Sequence, residues 1–131
     1  MEDTESFSIH VVGSETGKTW AGEFKTRKYL SHRLKIQRDV IIRQLLGETN
    51  PQLSLQIERS AKLADCQVAL SAFPDFWKDN GFGLDLVDDN LLDTIQEHVT
   101  RIQRETVESV RKKAQEATDR LKEELKKEPT A

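Results

Sequence analysis

Seven residues near the N-terminus come closest to a chemical motif. The segment GSETGKT at 13–19 combines two glycines, a lysine and three hydroxyl residues, the composition of a loop whose backbone N–H groups cradle a phosphate. Only three residues separate its glycines, where the phosphate-binding motif needs four. The residues that follow, TWAGEF, read as a strand instead of the helix whose N-terminus would hold the anion. A β-hairpin turn is therefore the expected structure.

The remaining reactive side chains are scattered. His10, His32 and His98 fall in three different predicted elements, and Cys66 has no His or Cys near it in the chain. Neither a metal site nor a nucleophilic cysteine is expected. The carboxylates of DLVDDN at 85–90 lack the spacing of a calcium loop, and helix capping accounts for them. No catalytic residue, metal or cofactor is expected, and the chain is not expected to be an enzyme.

Two other features point to binding. Seven bases, Lys25, Arg27, Lys28, Arg33, Lys35, Arg38 and Arg43, stand against one acid, Asp39, which gives 7 − 1 = +6; residues 79–97 hold six acids and no Lys or Arg, or −6. The basic run is a candidate nucleic-acid patch. A solvated or salt-bridged face is favoured over it, because the chain carries a net charge of −3 and no recognisable nucleic-acid motif. The two charged segments can equally pair within one chain or between copies. Phe73, Phe76 and Trp77 form an aromatic cluster that either plugs the core or contacts a partner.

The elements that must position these residues follow from composition and periodicity. A chain of 131 residues has room for one domain with one modest core. Its 36% apolar and 33% charged content compares with roughly 45–50% and about 25% in ordinary globular domains, so much of the surface must be solvated or meet a partner. The lone cysteine forbids an internal disulfide. The acidic start MEDTES precedes no signal-like apolar run, and nothing approaches the roughly 18 apolar residues of a membrane span.

The expected fold is α+β, mainly α. A flexible segment at 1–6 leads into a hairpin over 7–29, from the alternations Phe7/Ile9/Val11 and Trp20/Gly22/Phe24. Ser31 caps a helix over 32–46 that Gly47 terminates. Asn50 and Pro51 open a second helix over 51–72, with a stripe of Leu53, Ile57, Ala61, Ala64 and Val68. An aromatic loop spans 73–88, and the single domain ends near 105. One long charged helix begins inside the domain at Asp88 or Asp89 and runs on through an extended tail at 106–131.

That helix carries a seam at Leu92, Ile95, Val99, Ile102, Thr106, Val110, Ala114, Ala117, Leu121 and Leu125, with a mean step of 33/9, or about 3.7. The period is that of a straight helix, and the seam thins beyond Ile102. Acid-before-base pairs at Glu97/Arg101, Glu108/Lys112, Glu116/Arg120 and Glu123/Lys127 support it in water. Residues 92–102 belong to the core on this reading, whereas Val110, Leu121 and Leu125 are candidate partner contacts.

Taken in order, these features resemble a known family. Gly22-Glu23-Phe24 closes the hairpin; LSHR at 30–33, RQLLG at 43–47, FPDFW at 73–77 and NGFGLDLVDDN at 80–90 follow, then the charged helix. Over about residues 20–95 the chain resembles small proteins encoded among the structural genes of tailed bacteriophages, including tail assembly chaperones and minor head and tail components. The resemblance implies a non-enzymatic role in virion morphogenesis, by binding capsid, tail tube or tape-measure protein, with homo-oligomers also open. It places the chain in the host cytoplasm during assembly, and in the virion if the protein is retained. A tail chaperone would bind the tape measure and leave; a head component would remain on the capsid lattice. The alternative from another class is a small regulatory or counter-defence protein that uses the basic segment on nucleic acid.

Overall fold

Alternating apolar residues build the sheet. The computed structural model describes residues 3–47 and 54–127, and in it strands β1 (Thr4–Val12) and β2 (Thr19–Arg27) pair antiparallel. Phe7 lies opposite Phe24 with rings stacked at 5.3 Å, and Val11 lies opposite Trp20. Within the intervening turn, Gly13 N–H donates to Lys18 O at 2.7 Å and Gly17 N–H to Gly13 O at 2.9 Å. β1 starts earlier than expected. Residues 4–6 belong to the sheet instead of a free N-terminus, because the open end of the hairpin is closed by Lys28 N–H on Asp3 O at 2.8 Å.

Helix α1 (His32–Leu46) has the expected bounds. The Ser31 hydroxyl accepts from Leu34 N–H at 3.2 Å, and Gly47 closes the last turn with a positive φ of 72°. Helix α2 (Ser54–Ala69) ends three residues short of its predicted limit, and Leu70–Ala72 becomes strand β3, paired antiparallel to β2. Helical periodicity continues through these residues. Tertiary contacts override it, because Leu70 is buried and the Arg27 guanidinium draws the Val68 and Leu70 carbonyls to 2.8 and 3.4 Å. The predicted opening of α2 at Asn50, Pro51 and Leu53 lies outside the described residues. Of its expected stripe, Ala64 and Val68 are buried whereas Ile57 is exposed; Leu63, Cys66 and Ala69 also enter the core.

The expected aromatic loop contains a short helix, α3 (Asp75–Asp79). Helix α4 (Asp89–Lys127) then lays Leu91, Leu92, Ile95, Val99 and Ile102 into the core, where each contributes about 1.5–3 kcal/mol. α4 packs against β1, β2 and α2. Lys62 and Arg59 of α2 reach its first turns at Asp93 (2.8 Å) and Asp89 (3.8 Å). α1 packs mainly on α2 and has no buried residue. The result is the expected α+β, mainly helical architecture: a three-stranded sheet in the order β1-β2-β3 followed by helices, the last of them long.

Candidate functional site

The position of the long helix is set by an internal anion site. The hairpin turn that resembles a phosphate loop does bind a carboxylate, that of Asp88. Asp88 Oδ1 accepts from the N–H groups of Glu15 and Thr16, each at 2.8 Å, while Oδ2 accepts from the Thr16 hydroxyl at 2.6 Å and the Trp20 indole at 2.8 Å. Burial alone would raise this carboxyl. The Thr16 hydroxyl and N–H, the Trp20 indole and the Glu15 N–H outweigh burial and hold it well below the usual carboxylate range. Asn90 completes the clasp by accepting from Ser14 N–H at 2.9 Å and donating to Val12 O at 2.8 Å. The Asp88 side chain is therefore not a helix cap, as the sequence suggested, but a latch between α4 and the hairpin.

From this latch α4 runs back along the sheet. His98 stacks on Phe7 at 4.8 Å, and burial, with the Arg101 guanidinium alongside, lowers its imidazole. Thr106 and Val110 then line a groove of about 450 Å³ with Glu5, Lys28 and Tyr29 at the open end of the hairpin. Residues 107–126 are all exposed. Val107, Val110, Leu121 and Leu125 have 45%, 48%, 61% and 69% of their surface free. The predicted seam is thus continuous with the core up to Ile102 and open thereafter. Its ion-pair support differs from expectation. Glu97/Arg101, Glu108/Lys112 and Glu116/Arg120 do not close, and Arg101 turns to Glu105 at 3.4 Å instead. Exposed pairs of this kind gain too little to fix one partner. The Lys127 side chain lies outside the described residues.

The aromatic candidates are mainly structural. Trp77 is 1% exposed, edge-on to Phe24 at 6.3 Å, and belongs to the core instead of a contact surface. Phe76 is half-buried between Trp20 and Phe24 at 5.0 and 5.9 Å. Phe73 is half-buried against the exposed ring of Phe82 at 5.7 Å. Density of aromatic residues in the sequence cannot separate a core plug from a surface anchor, since both are driven by the same burial. The gain on burying an aromatic ring favours an inward Phe82 as well, yet Phe82 is exposed together with Leu84 and Val87, because the backbone at Gly81, Phe82 and Gly83 takes positive φ and turns the ring outward.

The basic candidates also divide. Arg27 is half-buried and used up by the Val68 and Leu70 carbonyls, so it leaves the patch. Arg38 spans Asp39 and Asp65 at 3.5 and 3.7 Å. Lys28 lines the groove beside α4. Arg33, Lys35 and Arg43 are exposed on α1.

Cys66 is buried, and burial, with the Asp65 carboxylate beside it, pushes its thiol up to about 12. It is expected to react with a thiol reagent only as fast as the domain opens, so labelling should track unfolding when followed across a denaturant series. Among the described residues no group of three or more His, Cys, Asp or Glu is placed to hold a metal. No described helix is long and apolar enough to cross a membrane. Comparisons with protein-family models, curated proteins and solved structures gave no match.

Proposed function

We propose that the chain is a non-enzymatic morphogenesis protein of a tailed bacteriophage, acting by protein–protein contacts as a minor head or tail component or as a tail assembly chaperone. The observation that supports this reading is the open seam of α4. A helix of 39 residues extends about 58 Å at 1.5 Å per residue, and its own domain covers only the first part. An apolar stripe left in water over the rest is the arrangement of a helix that docks in the groove of another protein. The resemblance of the order of sequence features to that of phage structural-module proteins supports the particular setting, with capsid, tail tube or tape-measure protein as the partner.

Mass spectrometry of purified virions separates the branches. Stoichiometric copies support a virion component. Absence from particles with co-purification of the tape measure supports a chaperone, and a protein found in an infected host with neither the particles nor the tape measure sinks the proposal. A chain ending at residue 109 is expected to keep its fold, with a Tm within about 4 °C of the full chain, because residues 110–126 are all exposed. It should lose the partner. Retention of the partner by this truncated chain would move the docking site off the seam.

A further inference from the structure

Helix α1 is amphipathic twice over. Leu34, Arg38, Ile41 and Leu45 form the half-buried face, as expected of the side packed on α2. Half a turn away, Arg33, Ile36, Val40 and Arg43 follow one another at steps of three, four and three, a single stripe on the opposite face. All four are exposed, with 63% of Ile36 and 44% of Val40 free. The stripe thus presents two aliphatic side chains between two guanidinium groups.

A complementary surface exists on the same chain. In the loop after α3, Gly81, Phe82 and Gly83 all have positive φ, at 64°, 56° and 96°. Bulky residues rarely adopt that conformation, and here it leaves Phe82 43% and Leu84 51% exposed. Asp79 and Asp85, both exposed, flank them. This loop presents two apolar side chains between two carboxylates. The two surfaces do not meet within one chain: the acids of 79–97 that are paired, Asp89 and Asp93, go to Arg59 and Lys62 of α2.

We propose that the outer face of α1 in one copy receives the 79–85 loop of a second copy. Arg33 and Arg43 meet Asp79 and Asp85, and Ile36 and Val40 pack on Phe82 and Leu84. A nucleic acid would satisfy the arginines, but its phosphate backbone offers nothing to the two aliphatic side chains between them. Because the surfaces differ, a pair joined head-to-tail still offers one of each, and the contact builds a ring or a filament. This self-association is independent of the assembly reading, and its failure would leave that reading standing.

The test is a charge swap on the full chain, followed by sedimentation velocity across protein and salt concentration. The wild type is expected to gain mass with concentration at low salt and to lose it as salt rises. R33E/R43E and D79K/D85K change only exposed residues and should keep the wild-type circular dichroism. Each is expected to weaken association by roughly a hundredfold or more, since like charges then face each other. The variant carrying all four changes should associate again, as should a mixture of the two double variants. A wild type that stays monomeric at low salt would overturn the proposal, as would association that survives in either double variant or fails to return in the swapped one. A mixed-sequence DNA or RNA oligonucleotide bound by a monomeric wild type, and released by R33E/R43E, would assign the face to nucleic acid instead.

Discussion

Trp77→Ala is expected to destabilise the domain by about 3–5 kcal/mol. Its indole is 1% exposed and sits so close to the chain that a Cβ on Gly83 would lie 2.6 Å from its ring. The space left by its removal cannot collapse easily, because Phe24, edge-on to the indole, and Leu63, beside it at Gly83, are themselves held in the core. A domain of this size has only about 5–15 kcal/mol in total, so the midpoint of thermal unfolding should fall by on the order of 10–20 °C. Calorimetry or circular dichroism of the purified variant reads this directly. A variant of unchanged stability that loses only a binding partner would return Trp77 to the surface role its composition first suggested. Phe73→Ala should cost much less, since that ring is only partly buried.

Asp88→Asn should unfasten the root of α4. An amide in place of the carboxylate turns an N–H₂ toward either the two backbone N–H groups or the Thr16 hydroxyl and the Trp20 indole, so a donor faces donors. The pH dependence gives the sign. The folded state holds the Asp88 carboxyl below its unfolded value, so the latch contributes fully above the ordinary Asp pKa of about 3.9 and is lost as pH falls below it. Urea midpoints measured from about pH 7 down to pH 2 should therefore drop more steeply for the wild type than for the variant. Equal slopes would show that the carboxylate is not charged in the clasp. Gly13→Ala attacks the same site without changing a charge. Its Cβ would overlap the Asp88 carboxylate, and overpacking of that kind costs about 1–3 kcal/mol.

The two variants also bear on the proposed function. If the latch aims α4, then a folded Asp88→Asn chain should keep its seam but present it at a less fixed angle. Partner capture would weaken even though no contact residue has changed.

What the sequence determined by itself is local. The capped helix at 32–46, the hairpin alternation, and the long terminal helix with its apolar seam ending near Ile102 each follow from spacing and capping within a few turns of chain. Those signals are carried by neighbouring residues, and the structure realises them with nearly the same bounds. The glycine-rich turn was legible as a turn, but its ligand was not. Asp88 stands 72 residues away from Thr16, and no periodicity links them. The same holds for Leu70–Ala72, a helical extension by pattern and a strand by virtue of its pairing with Lys25 and Thr26. It holds again for Trp77, whose burial depends on which faces of the sheet and α2 close over it. The tertiary structure alone decided these points, because a buried carboxylate, an edge pairing and a core plug are long-range contacts. Their free energy depends on what the rest of the chain brings to the site, and the residue types permit more than one answer.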